Sequence, residues 1–259
     1  MHKKKKRLGQ HFLRHREILE KIVSAAEINR EDKVIEIGPG LGDLTELLIE
    51  RARQVVALEI DASLCNILRE RFADRKNLLI IHEDALKFPY EKQKEFKVVS
   101  NIPYYITKPL IFRLIEASNL KSMTLTIQKE VAERLTAKPH SKAYSSLTLI
   151  FQYHMEADIK FHIPSTFFSP PPKVDSSVIK MDRRQRPPVE VLNESLFFKL
   201  IKTAFSHRRK MLSNSLKSFI DNPKSFLLSL GIDPNKRAEE LTIEEYANMT
   251  NELCKICKV

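Results

Sequence analysis

The sequence predicts an α/β fold with a mostly parallel sheet, followed by a small all-α domain. Short β-branched runs alternate with amphipathic stretches between residues 34 and 135. Three of the five glycines lie together at residues 38–42, directly after the first of these runs. No strand pattern follows Pro187-Pro188. Because strands that alternate with helices form βαβ units, we expect a mostly parallel sheet that is covered on both faces.

The alternation can be followed element by element from Val34. Apolar runs that are rich in valine, isoleucine and leucine predict strands at 34–37, 54–60, 78–81, 96–100 and 123–127. Apolar residues at helical spacing predict helices around 44–48, 64–68, 108–117 and 129–135. Residues 143–153 fit a helix or a strand equally well, Pro170 to Pro172 form a rigid loop, and Val174 to Met181 return to the sheet.

The pattern changes after Pro187-Pro188, and we place a domain boundary near residue 186. Residues 1–186 form the α/β domain, which begins with a basic N-terminal arm, and residues 187–259 form the helical domain. In the helical domain, apolar residues at helical spacing predict helices around 196–205, 212–220 and 243–256.

The net charge of +11 is concentrated in two stretches of the chain. Residues 1–16 carry seven Lys or Arg and no acidic residue, whereas residues 183–217 carry nine Lys or Arg against two glutamates. Localised basic stretches are typical of a protein that follows a phosphate backbone. The alternative for the lysines at the N-terminus is a solvated basic tail.

Hydropathy and cysteine content predict a cytoplasmic protein. The 259 residues contain no apolar run long enough to span a membrane, and the basic start is not followed by the apolar segment of a secretion signal. Three cysteines do not make a disulfide framework. Cys254 and Cys257 form a lone CxxC pair, for which we expect reduced thiols rather than a metal site or a redox role.

A glycine-rich loop and three acidic residues at strand ends predict a nucleoside-binding site. Gly38, Gly40 and Gly42 follow the first strand, where glycine allows a tight turn and the close approach of a ligand. Glu59 ends the second strand and can accept hydrogen bonds from ribose hydroxyls, while Asp84 follows the third strand and can accept from an adenine amine. Glu36, before the glycines, can reach an ammonium group. An ordinary strand-to-helix turn with surface carboxylates is the alternative.

The fourth strand is followed by Asn101-Ile102-Pro103-Tyr104, a pattern that can hold an aromatic amine. The lone pair of an adenine N6 amine is delocalised into the ring, which makes the amine a poor nucleophile. The Asn101 side-chain oxygen and the Ile102 carbonyl can accept its hydrogens and favour a tetrahedral nitrogen. Pro103 makes the loop rigid and Tyr104 offers a stacking face for an extruded base. A plain turn at a strand end remains the alternative.

Four motifs occur in order along nearly the whole chain: Gly9-Gln10-His11-Phe12-Leu13, Glu36 to Gly42, Asn101 to Tyr104, and Phe168 to Ser176. Together they closely resemble the ribosomal RNA adenine N6,N6-dimethyltransferases, in particular the bacterial small-subunit enzymes. The resemblance implies a Rossmann-like S-adenosylmethionine-dependent methyltransferase fold with a small C-terminal all-α domain. The first domain would then be catalytic and the helical domain would bind RNA.

The resemblance also implies the cofactor, the substrate and residue roles. The residues that would contact S-adenosylmethionine are His11, Leu13, Gly38, Glu59, Asp84 and Asn101. Phe168 would stack on the target base opposite Tyr104. Two methyl groups would pass to each of two adjacent adenosines near the 3′ end of small-subunit rRNA in an immature 30S particle, with S-adenosylhomocysteine as product and no metal. The expected RNA-binding residues are Lys5, Arg7, Arg208, Arg209 and Lys210, and we expect a monomer.

Three other functions stay open at this point. A large-subunit rRNA adenine dimethyltransferase of the macrolide-resistance type shares the first three motifs, although Pro170 to Ser176 looks more like the small-subunit form. A non-catalytic RNA-binding assembly factor would keep the fold, but the intact glycine loop, Glu59 and Asn101 favour an enzyme. DNA adenine methyltransferases usually have Asp in place of Asn101.

Overall fold

Every strand predicted between residues 34 and 127 forms in the computed structural model, which describes residues 11–207 and 209–257. In chain order the elements are β1 (Phe12–Leu13), α1 (Arg16–Ala25), β2 (Lys33–Ile37), α2 (Asp43–Arg51), β3 (Gln54–Glu59), α3 (Ala62–Arg71), β4 (Leu78–His82), β5 (Phe96–Asn101), α4 (Thr107–Ile115), β6 (Leu120–Gln128), α5 (Lys129–Leu135), α6 (Ser146–His154), β7 (Met155–Ile163), β8 (Phe168–Ser169), β9 (Ser176–Arg183), α7 (Glu194–Ala204), α8 (Leu212–Ser215), α9 (Pro223–Ser229) and α10 (Ile243–Cys257).

A seven-stranded sheet has the order β4-β3-β2-β5-β6-β9-β7. The first five strands in this order run parallel to one another, and β9 is antiparallel to both of its neighbours, β6 and β7. The strand order reverses between β2 and β5. After β2 the chain adds β3 and β4 on one side of β2, and it then returns to add β5 and β6 on the other side. Open α/β sheets bind ligands outside the carboxyl ends of the strands at such a reversal.

The central strands β2, β3 and β5 are buried over most of their length because helices cover the sheet. Val34 and Val55 are fully buried and share a core with Leu19, Ile22 and Leu48 of helices α1 and α2. Burying side chains of this kind contributes about 1.5–3 kcal/mol each, which is what holds the strand ends in place. The mostly parallel α/β architecture predicted from the alternation of strands and helices is confirmed.

Several elements differ from the prediction. Helices α1 and α9 and the two-residue strands β1 and β8 were not predicted. β7 was not predicted, although residues 155–163 alternate between apolar and polar side chains and the strand pairs with β9 at the edge of the sheet. The helix predicted over 212–220 is shorter, because α8 ends at Ser215 and the chain turns before α9. Pro223 disfavours a helical conformation at the residue before it, and Asn222 instead caps α9 through its side chain.

The chain divides into two compact units. One comprises the chain up to Ala132 together with Met155–Arg183, and the other comprises Glu133–His154 and the chain from Arg184 onward. The C-terminal boundary lies close to the predicted residue 186, but residues 133–154 join the helical unit rather than the sheet unit. The reason is that α6 forms as a helix, and its Leu149 and Tyr153 are buried in the core of α7 and α10.

The helical unit contains no strand among its described residues. No helix in the described part of the chain is long and apolar enough to cross a membrane. Cys254 on α10 is a buried free thiol, and the side chain of Cys257 lies outside the description.

Candidate active site

A cleft opens at the carboxyl ends of β2, β3, β4 and β5, where the strand order reverses. Eleven of the twelve residues predicted to bind the cofactor or to take part in catalysis line it: His11, Leu13, Glu36, Gly38, Gly40, Glu59, Asp84, Asn101, Ile102, Pro103 and Tyr104. Phe168 does not. These residues meet in one cleft because they follow strand ends, and parallel strands bring their carboxyl ends to one edge of the sheet.

Position 40 requires glycine for two reasons, its backbone conformation and the close packing of a neighbouring side chain. Its φ of +61° lies in the left-handed region, and a Cβ atom would lie 2.9 Å from Cε1 of Phe12. Gly42 is the N-cap of α2 and has a φ of +92°. The loop therefore turns tightly into the helix and at the same time lets Phe12 pack directly against the backbone.

Glu59 is a buried carboxylate with capacity left for a ligand. Its Oε1 accepts a hydrogen bond from the Asp61 backbone N–H at 2.9 Å, and its Oε2 accepts one from the Gly40 N–H at 3.4 Å. Burial raises the pKa of Glu59, and these backbone hydrogen bonds act in the opposite direction. Because each carboxylate oxygen has two lone pairs, both can accept a further hydrogen bond, as two neighbouring ribose hydroxyls would require.

Asp84 is held beside Glu59 by backbone contacts. The Glu83 N–H donates to the Glu59 carbonyl at 3.0 Å, which joins the ends of β3 and β4. Oδ1 of Asp84 accepts from the Leu86 N–H at 2.9 Å. The half-buried carboxylate can therefore accept from a ligand amine through Oδ2.

Glu36 is the most deeply buried acid of the cleft, with 2% of its surface exposed. The Thr45 hydroxyl donates to its Oε2 at 2.6 Å. Its pKa is raised to about 8, mainly by burial and in smaller part by the nearby carboxylates of Glu59 and Asp43, while the hydrogen bond from Thr45 acts in the opposite direction. At neutral pH Glu36 is therefore mostly protonated, and a cation bound next to it would favour the ionised form.

Asn101 ends β5 with a defined amide orientation. Its Nδ2 donates to the His11 carbonyl at 3.2 Å, which directs Oδ1 away as an acceptor. The preceding Ser100 hydroxyl donates to the Ile37 carbonyl and so ties β5 to β2. Pro103 contacts the glycine loop, since a Cβ atom at Gly38 would lie 3.6 Å from its Cδ.

The first and fourth motifs form a small antiparallel sheet over this region. Leu13 pairs with Phe168, and Phe12 pairs with Ser169. Nδ1 of His11 lies 2.7 Å from the Pro170 carbonyl oxygen, although 159 positions separate the two residues. This pairing holds His11 and Leu13 against the cleft.

The two predicted stacking residues have different surroundings. Tyr104 is half-buried in the cleft, its ring centroid lies 5.7 Å from that of His11, and its hydroxyl is 2.7 Å from the Ser176 hydroxyl. Phe168, by contrast, is only 3% exposed and packs in the core of the sheet unit. A base could meet the Phe168 ring only after that side chain had rotated out.

Three residues of the cleft region were not singled out from the sequence. Phe12 covers Gly40, Tyr105 lines the cleft with 56% of its surface exposed, and Ser176 holds Tyr104. Phe12 and Ser176 lie inside the quoted motifs, and Tyr105 directly follows one, so position next to a motif was the available signal.

Of the predicted RNA-binding residues, the structure describes Arg209 and Lys210, and neither lines the cleft. Arg209 and Lys210 are exposed in the helical unit, after α7. Lys5, Arg7 and Arg208 lie outside the described residues. Within the described ranges, no group of three or more His, Cys, Asp or Glu side chains is arranged to hold a metal ion.

Comparison with known proteins agrees with this geometry. The family model for ribosomal RNA adenine dimethylase matches residues 1–255. The ribosomal RNA small subunit methyltransferase A of Clostridium botulinum (strain Kyoto / Type A2) is 46% identical over 254 residues, which cover 95% of this chain and 92% of that protein. The protein of the same name from Enterococcus faecalis is 44% identical, over 97% of this chain and 90% of the other.

Two solved structures are similar over nearly the full length. A dimethyladenosine transferase from Plasmodium falciparum has a TM-score of 0.82 and 29% identity, covering 95% of this chain and 98% of that one. The 23S rRNA methyltransferase ErmE has a TM-score of 0.76 and 28% identity, covering 93% of this chain and 99% of the other.

Proposed function

The chain belongs to the ribosomal RNA adenine dimethylase family, and from that premise we propose that it methylates N6 of two adjacent adenosines near the 3′ end of small-subunit rRNA, with S-adenosylmethionine as methyl donor. One observation carries the proposal. A single cleft at the reversal of strand order brings together the glycine loop, the acceptors Glu59 and Asp84, and the amide of Asn101.

The residues of the cleft fit S-adenosylmethionine, which supplies a methyl group on a positively charged sulfur. Glu59 has free lone pairs for the two ribose hydroxyls, and Asp84 has a free oxygen for the adenine amine. The glycine loop would allow the ligand to approach the backbone, and Glu36, which lines the cleft, would ionise beside the ammonium of the amino-acid part and neutralise it. His11 and Leu13 line the same space.

Asn101 and Ile102 would hold the target amine. Because Nδ2 of Asn101 is bonded to the His11 carbonyl, its Oδ1 is the atom that can accept an amine hydrogen. The Ile102 carbonyl can accept the second hydrogen, and two acceptors arranged in this way favour a tetrahedral nitrogen whose lone pair is free. Positioning of this kind supplies a large part of an enzyme's acceleration without a strong base.

Tyr104 is the first candidate for the surface on which the flipped adenine stacks. The Ser176 hydroxyl fixes its ring next to Pro103, at the edge of the cleft. Phe168 would supply the opposite face only after rotation out of the core. Base flipping of this kind is what a duplex or folded RNA requires before chemistry on a base.

The small subunit is the favoured target. The relatives named for the small subunit are 46% and 44% identical to this chain, whereas the 23S rRNA enzyme is 28% identical. We expect the chain to act as a monomer on an immature 30S particle in the cytoplasm. Lys5, Arg7, Arg208, Arg209 and Lys210 would contact RNA phosphates.

The deciding experiment supplies the purified chain with labelled S-adenosylmethionine and two substrates: immature small-subunit particles and protein-free large-subunit RNA. Mass spectrometry of digested RNA then locates N6,N6-dimethyladenosine. Modification of two adjacent adenosines in the small-subunit RNA alone is the expected result. Modification of the large-subunit RNA alone would reassign the target, and cofactor binding without any methylation would favour a non-catalytic assembly factor.

A further inference from the structure

The outer face of α7 carries a polar stripe that the proposed reaction does not use. Six residues of α7 and the 3-10 turn that follows it recur at spacings of three and four, and with Ser218 they line one open groove: Ser195, Phe198, Lys199, Lys202, Thr203 and Ser206. The opposite stripe, which includes Phe197 and Leu200, is buried in the helical core. Eleven residues of helical rise make the groove about 16 Å long.

The groove has a single sign of charge. Two lysines and no acidic residue line it, and neither Lys199 nor Lys202 forms an ion pair with any residue that the structure describes. Elsewhere in the helical unit, Lys236 is paired with Glu245 at 3.1 Å. Unpaired ammonium groups in a shared groove are available for an anionic ligand.

The hydroxyls of the groove divide into two pairs. Thr203 donates to the Lys199 carbonyl at 2.9 Å, and Ser206 donates to the Thr203 carbonyl at 2.7 Å, so their hydrogens are already used. The side-chain hydroxyls of Ser195 and Ser218 make no hydrogen bond with a described residue and can donate. Nζ of Lys199 lies 5.5 Å from the centroid of the Phe219 ring. This cation–π contact holds the ammonium group beside the groove.

Phe198 adds a partly exposed aromatic ring to this positive groove. Its ring contacts those of Tyr153, at 5.3 Å between centroids, and His154, at 5.5 Å. These contacts support the ring from behind and leave part of it open. Positively charged grooves with aromatic rings are typical surfaces for single-stranded nucleic acid, whose phosphates meet the charges while its bases stack.

We infer that the α7 groove binds an unpaired segment of the RNA substrate, with Lys199 and Lys202 on its phosphates and Phe198 against a base. The inference rests on the proposed RNA substrate and adds a second point of contact to it. Ser206 lies three residues before Arg209, so the groove leads into the segment that is predicted to contact phosphates. An open groove of this length suits a chain of phosphates, whereas sites for small ligands enclose most of the molecule.

The test compares the full-length chain with its Lys199→Ala/Lys202→Ala variant for binding to small-subunit rRNA. Both lysines are exposed, so folding should be unaffected. Affinity at 0.1 M salt should fall roughly 20-fold, and the slope of log K against log salt should decrease by about 1.4, because each phosphate contact on a single strand contributes about 0.7. The Lys199→Arg/Lys202→Arg variant should restore the slope.

Two control variants distinguish an effect of the groove residues from a general effect of lower net charge. Lys138→Ala/Lys224→Ala removes the same charge from exposed positions of the helical unit that do not line the groove, and should leave the slope near the wild-type value. Phe198→Leu removes the aromatic stacking surface and leaves the net charge unchanged. It should lower the affinity for RNA roughly tenfold without changing the slope of log K against log salt. The affinity of each variant for S-adenosylhomocysteine and its melting temperature should match the wild type.

The outcomes distinguish this inference from the proposed function. If the wild type methylates small-subunit rRNA but the groove variant binds RNA with the wild-type slope, the groove inference is wrong and the proposed function stands. If the groove variant keeps its RNA affinity and loses binding to an acidic protein segment instead, the groove is a protein-docking surface and the inference is again overturned. If the wild type neither binds nor methylates rRNA, the proposed function itself fails.

Discussion

Replacing Glu36 by glutamine should change how stability depends on pH. Burial raises the pKa of Glu36 from its ordinary value of 4.5 to about 8, so in the folded protein the carboxyl stays protonated up to about pH 8. In the unfolded chain it ionises near pH 4.5. The contribution of the Glu36 carboxyl to the free energy of unfolding is therefore fully present below pH 4.5, and it is lost as the pH rises to about 8.

The magnitude follows from the separation of the two pKa values. Each pH unit between them is worth about 1.36 kcal/mol. Between pH 5 and pH 8 the wild type should lose roughly 3 to 4 kcal/mol of unfolding free energy relative to Glu36→Gln, which carries no charge at any pH. Glutamine keeps an oxygen that can accept the Thr45 hydroxyl, so the 2.6 Å contact need not be lost.

Urea unfolding at pH 5, 6, 7 and 8, with pulse labelling of the β2 and β5 amides by hydrogen exchange, measures the sheet unit alone. The matched control is Glu50→Gln, the same chemical change at an exposed position on α2, for which the difference from wild type should stay within about 0.5 kcal/mol at every pH. If Glu36→Gln and the wild type give parallel pH profiles, Glu36 is not a buried acid with a raised pKa and the account of this position is wrong.

Three further predictions concern the cleft and the basic segment. Asn101→Ala should lower kcat roughly 100-fold or more because the target amine loses an acceptor, while RNA affinity stays unchanged in the same binding assay. Gly40→Ala should cost about 1–2 kcal/mol from its positive φ and should displace Phe12, which calorimetry with S-adenosylhomocysteine would detect as weaker binding; unaltered binding would contradict the close packing. Arg208→Ala/Arg209→Ala should flatten the salt dependence of RNA binding by about 1.4 to 1.8, and an unchanged slope would assign these arginines to solvation.

The sheet and the cleft were largely predictable because their signals are local. Val55 and Val56 belong to a continuous apolar run, as strands buried on both faces must, and Glu59 stands at the end of that run. In a parallel sheet, adjacency of strand ends then follows from topology alone. The placement of Gly38 and Asp84 in one cleft could therefore be inferred without coordinates.

The remainder depends on long-range packing, which periodicity does not contain. Tyr104 bonds to Ser176, which is 72 positions away, and no spacing rule points to that pair. Phe168 lies in a motif that suggested an accessible ring, yet its pairing with Leu13 buries it. Residues 133–154 belong to the helical unit because the apolar side chains of α6 pack against α7 and α10, which lie far along the chain.

A crystal structure of the protein with S-adenosylhomocysteine tests the central claim most directly, since the proposed chemistry requires the cofactor at the reversal of strand order. Both ribose hydroxyls should lie within hydrogen-bond distance of the Glu59 carboxylate, with the adenine amine beside Asp84 and the sulfur facing Asn101. A ligand bound elsewhere, or a cleft that stays empty at saturating ligand, would contradict this claim.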